Sequence, residues 1–304
     1  LISGSAATAP PHRAEHFLST ARELRDDGAV LAAFICQRHA TLLFPSAAAE
    51  YCYLGELAHI IGRRDDAREA YERYLEDAPG DAEVAHILTA LRNDAPPPRA
   101  PNTCIEQLYA RFAGFYEDNM CGDLGYQAPN RLIDALAPHL GDACNLCVLD
   151  LGCGTGLSGK QLRSHARDLT GIDLSPDMAT LAAQTGLYDT LEVAEITAWL
   201  GRSTEQQFDL IAACDSLIYF GDLAQVITPA AARLRPGGWI AFTVERGNVA
   251  PFNLTDSGRY SHTRDHILAV AAVAKLAVAS LDEVVLRMEY GEPVVGLVTV
   301  LRAA

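Results

Sequence analysis

No run of basic residues occurs in this 304-residue chain, and acids outnumber bases in both halves. The formal charge is −15 at pH 7, of which residues 1–100 carry −5 and the remainder −10. Proteins that hold nucleic acid neutralise its phosphates with clustered lysine and arginine. DNA and RNA are therefore not expected as partners, nor, on the same ground, is an anionic membrane surface. Residues 1–11 have no basic start, apolar core or cleavage pattern, so no signal peptide is expected. The most apolar stretch, 267–281, is interrupted by Lys275 and is shorter than a membrane span. Eight cysteines are scattered without the spacing of a disulfide framework. The expectation is a soluble, cytoplasmic protein with reduced thiols. Cys144-x-x-Cys147 has no second such pair and no histidine cluster to complete four ligands, so no metal is expected.

What the chain does have is a glycine-rich strand end. Residues 148–156 read VLDLGCGTG, a short apolar strand running into Gly152, Gly154 and Gly156. Glycine tolerates positive φ and presents no Cβ to a ligand, and a helix expected over 157–166 would turn its free N–H groups towards the same loop. The spacing G-x-G-x-G is not the G-x-G-x-x-G of a dinucleotide fingerprint, whose last glycine would fall at Leu157. Asp150 precedes the first glycine by two residues, and Cys153 inside the loop reads as a small loop residue. Seventeen residues past Gly156, a second short apolar strand ends in Asp173. In a βαβ unit that carboxylate stands at the neighbouring strand's end, where it can take both hydroxyls of a ribose.

Four segments in order, VLDLGCGTG (148–156), TGIDLSPDM (170–178), FDLIAACDSLIYF (208–220) and LRPGGWIAFTVE (234–245), resemble the class I S-adenosylmethionine-dependent methyltransferases over roughly residues 104–304. The resemblance implies an α/β Rossmann-like fold, with a mostly parallel seven-stranded sheet and helices on both faces. Strands are expected near 146–151, 168–173, 189–193, 208–213 and 237–244, with a closing hairpin of 284–290 and 295–301. The implied cofactor is S-adenosyl-L-methionine, leaving as S-adenosyl-L-homocysteine. Its implied ligands are Gly152, Cys153 and Gly154 for the methionine and ribose portion, with Asp150 nearby and Asp173 on the ribose hydroxyls. Leu174 and Met178 would flank the adenine, Glu195 and the Ile196 N–H would read it, and Cys214 would meet the amino-acid end. Tyr126 could reach that end from the start of the next helix, expected over 128–137.

The first ninety-four residues carry a period of thirty-four. Set above 48–81, residues 14–47 place Phe17 over Tyr51, Ala21 over Gly55, Ala33 over Ala67 and Pro45 over Pro79. Aromatic, small, small and a closing proline at this period resemble the tetratricopeptide repeat, a pair of antiparallel helices. The expectation is a small all-α TPR domain, 14–94, with residues 82–94 as a capping helix after two repeats and 1–13 disordered or extended. Four prolines within 95–101 mark a stiff linker, leaving 102–304 as the methyltransferase domain.

For the acceptor, helical spacing of Ile105, Leu108, Phe112 and Phe115 predicts a helix over 102–119. The resemblance folds it over the cofactor, making Tyr109 and Tyr116 candidate substrate contacts. The polar segment 259–264, RYSHTR, offers His262 as general base, since imidazole changes charge near neutrality, with Tyr260 as its catalytic neighbour, and Tyr260 and Arg264 to orient or bind an anionic acceptor. It also resembles a segment of bacterial methyltransferases that carry tetratricopeptide repeats. Asp215 and Glu245 are further substrate-side candidates. No N-P-P-Y tetrapeptide follows the fourth strand, which speaks against amino-group methylation of DNA bases or protein glutamine. Three readings stay open: a methyltransferase acting on a small molecule, one acting on a protein or peptide recruited by the repeats, and a cofactor-binding adaptor without turnover. The oligomeric state stays open too, a homodimer among the alternatives.

Overall fold

The computed structural model describes residues 12–45, 47–141 and 143–304. The chain divides into two compact units, Leu1–Ala95 and Pro96–Ala304. Of the expected extended terminus, residues 1–11 lie outside the described residues, and His12 already begins a helix.

The first unit is helical among its described residues: α1 (His12–Asp26), α2 (Val30–Leu43), α3 (Ala48–Ile60), α4 (Arg64–Asp77) and α5 (Ala82–Leu91). Its turns repeat at the period seen in the sequence. Gly28 and Gly62 both take positive φ, 77° and 72°. Beyond each, the chain donates back five residues, Ala29 N–H to Leu24 O and Arg63 N–H to Ala58 O, both at 2.8 Å. That is the left-handed stop that glycine makes cheap. Phe44 and Ala78, each before a proline, leave the helical region and end α2 and α4. Small residues decide how closely the helices approach. A Cβ on Gly55 would stand 2.5 Å from the Tyr71 ring, and Ala33, Ala58 and Ala67 are fully buried. Asp81 caps α5 by accepting from Val84 N–H at 3.0 Å.

The second unit starts earlier than a linker ending at 101 would allow. Residues 97–100 run along it as a strap: Gly221 N–H donates to Pro98 O at 2.9 Å, and Ala100 N–H to Tyr219 O at 2.8 Å. Proline-rich chain cannot join a helix, but its carbonyls still accept, and here they do. α6 (Asn102–Phe112) follows, shorter than the expected 102–119 helix. At 113–115 the chain tightens to a 3₁₀ turn and at 118–123 it widens to a π turn. Gly114 and Gly122 sit in these two turns, and Phe112 meets Phe115 and Tyr116 edge to face. α7 (Ala128–Leu140) leads into the sheet.

Among the described residues nine strands form that sheet: β1 (Leu146–Leu151), β2 (Ala166–Asp173), β3 (Thr190–Val193), β4 (Phe208–Ala213), β5 (Leu234–Arg246), β6 (Phe252–Leu254), β7 (Tyr260–His262), β8 (Ala277–Glu289) and β9 (Glu292–Arg302). Pairing runs β3-β2-β1-β4-β5 in parallel, then β9 antiparallel to β5 and β8 antiparallel to β9. These seven make the expected mostly parallel sheet, with β9 alone reversed. β6 and β7 add a small ribbon at the carboxyl end of β5. Helices α8 (Leu157–Leu162), α9 (Pro176–Gln184), α10 (Ile196–Leu200), α11 (Ala224–Ala231) and α12 (Arg264–Val273) fill the crossovers. α8 stops four residues short of expectation: the chain turns, with His165 N–H donating to Leu162 O and Ala166 N–H to Arg163 O, and β2 begins at Ala166. β8 and β9 join through Tyr290 and Gly291, at φ 51° and 83°, the geometry of a two-residue hairpin. The central strands are covered on both faces, with Leu149, Leu151 and Ile172 in one core and Val148, Leu169 and Leu210 in the other. No described helix is long and apolar enough to cross a membrane.

Candidate active site

Parallel strands deliver their carboxyl ends to one edge of the sheet, and the cleft lies there. Its walls come from the ends of β1, β2 and β4, the start of α10, α6 and the turn after it, and the strap. The cleft holds about 630 Å³ of atom-free space, counting its open mouth.

The glycine loop forms the floor. Gly152, Gly154 and Gly156 take φ of 71°, 55° and 99°, and a Cβ on Gly152 would collide with the Ser216 side chain. The N–H groups of Gly152 and Cys153 both donate to Ile172 O, at 2.8 and 3.0 Å. Asp173 fastens the loop from the other side. Its two carboxylate oxygens accept from Gly154 N–H and Ser175 N–H, each at 2.8 Å. Burial pushes its carboxyl above the ordinary range, and these N–H groups pull it back.

Of the eleven cofactor candidates, eight line this cleft: Gly152, Gly154, Asp173, Leu174, Met178, Glu195, Ile196 and Cys214. Three do not. Asp150 is fully buried and faces away, accepting from Ser158 Oγ at 2.7 Å and Tyr188 Oη at 2.8 Å. It holds α8 and the Tyr188 ring, which packs over Gly159 and Gly171. Burial raises its carboxyl to about 6. Cys153 turns its thiol into the loop and is buried. Tyr126 sits behind the wall, its hydroxyl 3.6 Å from Cys214 Sγ. Glu195 lines the cleft, yet its oxygens cap α10 through Thr197 N–H (2.9 Å) and Ala198 N–H (2.7 Å) and pair with Arg99 (2.8 Å). Burial would raise this carboxyl, and the cap and Arg99 outweigh it and hold it low.

On the acceptor side the outcome differs from expectation. Tyr109, Tyr116 and Asp215 line the cleft. His262, Tyr260, Glu245 and Arg264 do not. His262 and Tyr260 are fully buried in β7. The imidazole Nε2 lies 2.8 Å from Phe220 O and 3.1 Å from Gly221 O, so it donates there. Burial holds its pKa down at about 4. The Tyr260 hydroxyl donates to Pro97 O at 2.6 Å. Both side chains fasten the loop and strap behind the cleft, as buried polar groups beside carbonyls do. Arg264 is exposed at the start of α12, and Glu245 is bound between two arginines.

Those arginines belong to a buried charge network. Arg287 of β8, 3% exposed at its side chain, donates to Asp215 Oδ2 at 2.7 Å, to Glu289 at 2.7 Å and to Glu245. Arg259 donates to Glu245 and Glu289, both at 2.7 Å. Asp215 takes φ 56° and gives its N–H to Thr243 Oγ1 at 2.8 Å. Burial pushes its carboxyl up and Arg287 draws it back. Sequence reasoning missed Arg99, Ile105, Ser216, Tyr219 and Phe220 in the cleft wall, and Arg287 behind it. Ser216, Tyr219 and Phe220 lie within the quoted segment 208–220, where position alone could have nominated them. Arg287 comes from a strand seventy-two residues beyond its partner and carries no local signal. The Tyr109 and Tyr219 hydroxyls share a 2.9 Å hydrogen bond. Burial raises Tyr109 to about 12 and the other two tyrosines well above the ordinary value, so all three stay neutral near pH 7.

The cradle fits S-adenosylmethionine: a floor that a Cβ would fill, an acid at the end of β2, and an apolar slot of Leu174, Met178 and Ile196. Comparison with known proteins agrees. Residues 149–240 match the family described as a methyltransferase domain. A ubiquinone biosynthesis O-methyltransferase of Hydrogenovibrio crunogenus is 28% identical over 137 residues, 40% of this chain and 56% of that one. A putative methyltransferase, YqeM of Bacillus subtilis, is 31% identical over 147 residues, 45% of this chain and 55% of that one. The chain thus spans about half the length of the curated relatives it matches. Among solved structures, the Burkholderia thailandensis 1,6-didemethyltoxoflavin N1-methyltransferase was crystallised with its acceptor and S-adenosylhomocysteine. It superposes at a TM-score of 0.52, 23% identical over 69% of this chain and 93% of its own. The [4+2]-cyclase SpnF superposes at 0.54, 17% identical over 68% and 98%, so the fold by itself does not fix the reaction. The second unit thus has a Rossmann-like methyltransferase fold, with the methyltransferase-domain match running through residues 149–240.

Proposed function

We propose that the protein transfers a methyl group from S-adenosylmethionine to a small-molecule acceptor bound beyond the carboxyl ends of β1 and β4. The observation that carries this reading is the enclosure of the cleft. Three neutral tyrosines, 109, 116 and 219, stand with the glycine loop and Asp215 around one narrow space, which suits a small ring better than an extended chain. The cofactor, when bound, supplies an electrophilic methyl group. The protein's part is then alignment, which contributes roughly 7–11 kcal/mol in the best cases. Asp173 and the glycine loop hold the donor end, the tyrosines exclude water, and Asp215 meets the acceptor. The relatives' printed activities, an O-methyltransferase and an N1-methyltransferase, agree with either an oxygen or a ring nitrogen as the accepting atom.

The five N-terminal helices we read as two tetratricopeptide repeats, 14–47 and 48–81, with 82–94 as their cap. Their repeated glycine stops support that reading, and a peptide or protein partner on them is the second reading of function. A cytoplasmic setting is part of this reading, since the scattered cysteines lack the spacing of a disulfide framework. The test is S-adenosylhomocysteine release in the presence of phenols, ring N–H heterocycles and basic peptides, each supplied separately. Turnover with the small molecules supports the first reading. Turnover with peptides alone replaces it with the second.

A further inference from the structure

Asp215 holds an open valence that the fold has prepared and not used. Its backbone is fixed in the left-handed region at φ 56°, with its N–H on Thr243. Its side chain is only 8% exposed, and Oδ2 is taken by Arg287. Oδ1 has no hydrogen-bond partner among the described residues, and the residue lines the cleft beside the tyrosines. A buried carboxylate oxygen left in that state is costly, so a ligand that donates to it is favoured.

The surrounding charges narrow the ligand further. Three carboxylates, Asp215, Glu245 and Glu289, face two guanidiniums, Arg259 and Arg287. Each nitrogen of Arg287 is already donating to one of them. Neither arginine lines the cleft. Arg99 does, but it is held by Glu195 at 2.8 Å and Asn102 at 2.7 Å. An anionic acceptor would therefore meet the unpartnered carboxylate oxygen Oδ1 and find no free cation in the cleft wall to answer it.

We propose that Asp215 sets the acceptor class: a neutral or cationic ring compound that presents an O–H or N–H to Oδ1, with acids rejected. This rests on the methyl-transfer reading above. Substitution by asparagine gives a sharp test, because asparagine also tolerates the left-handed region. Arg287 can only donate, so the amide oxygen must face it and the amide NH₂ must face the cleft. The acceptor preference should then invert.

The experiment is ligand-observed NMR titration of the full chain, loaded with S-adenosylhomocysteine, using catechol, benzimidazole and benzoate. In the wild type, catechol or benzimidazole should bind at least tenfold more tightly than benzoate. In Asp215→Asn, the donor probes should weaken tenfold or more and benzoate should gain. S-adenosylhomocysteine affinity and the melting temperature report on folding and should stay near wild type, affinity within threefold. Equal binding of benzoate, binding of no probe at 10 mM, or an unchanged preference in the variant would overturn the proposal. An equal loss of S-adenosylhomocysteine affinity would also overturn it, assigning Oδ1 to the cofactor's ammonium. If the wild type fails to bind S-adenosylhomocysteine at all, the methyl-transfer reading falls first.

Discussion

Arg287→Met removes the guanidinium that touches all three carboxylates, Asp215, Glu245 and the partly exposed Glu289, behind the cleft. Methionine matches the stem in length and keeps much of its packing, so the loss is chiefly electrostatic. Asp215 then has no ionic partner among the described residues, and Glu245 and Glu289 share Arg259. Breaking a buried pair from one side costs about 3–5 kcal/mol, because charge is stranded away from water. For a unit the size of Pro96–Ala304, where each kcal/mol moves Tm by about 2–4 °C, the drop should be about 6–20 °C. The pH dependence gives a second handle. In the wild type, burial raises Glu289 and the arginines outweigh it to hold it low, while burial keeps Asp215 high against the pull of Arg287. Without Arg287 both carboxyls rise, so the folded variant binds protons at pH values where the unfolded chain has released them. Its stability accordingly falls as pH rises through that window, and the deficit against wild type should narrow between pH 7 and pH 5. Calorimetry of the full chain at both pH values measures this. A drop smaller than about 3 °C, or a deficit that widens on acidification, would refute the argument.

Three further outcomes follow from other parts of the molecule. Gly152→Ala places a Cβ against Ser216 at φ 71°, so it should lose roughly 1–3 kcal/mol of stability and most S-adenosylhomocysteine affinity. Near-wild-type values by titration would contradict the close-packed floor. His262, with burial holding it at about 4 against an ordinary 6.5, binds fewer protons folded than unfolded. Its contribution to stability is intact above pH 6.5 and is lost as pH falls towards 4. Its ring resonances should not move between pH 5.5 and 8, and a midpoint above 6 would restore it as a base. Gly55→Ala drives a Cβ to 2.5 Å from Tyr71, which should destabilise the helical unit by about 1–3 kcal/mol. S-adenosylhomocysteine affinity should stay unchanged, and a matching loss of affinity would tell against this local account.

The cofactor half was readable because its signals are local. A strand, three glycines and a terminal acid sit within twenty-six residues of chain, 148–173, and backbone geometry alone gives them meaning. The thirty-four-residue period was readable for the same reason, since Gly28 and Gly62 stop their helices identically. The acceptor half was not local. His262 looks like a base in the sequence, where nothing reveals that the Phe220 and Gly221 carbonyls bind it from across the fold. Arg99 was hidden by its prolines, whose composition reads as spacer, although Pro98 O accepts from Gly221 N–H and Pro97 O from the Tyr260 hydroxyl. Asp150 was misplaced because its partner Tyr188 reaches it from thirty-eight residues away. Charges buried in pairs are legible only when both strands are in view, and Arg287 with Asp215 is such a pair.

The central claim is that the glycine loop and Asp173 hold S-adenosylmethionine. Calorimetric titration of the full chain with S-adenosylhomocysteine tests it most directly, with Asp173→Ala alongside. Asp173 supplies both acceptors that fasten Gly154 and Ser175, so removing it should weaken micromolar binding by a hundredfold or abolish it. Equal affinity in the two proteins, or no binding to the wild type, would contradict the account.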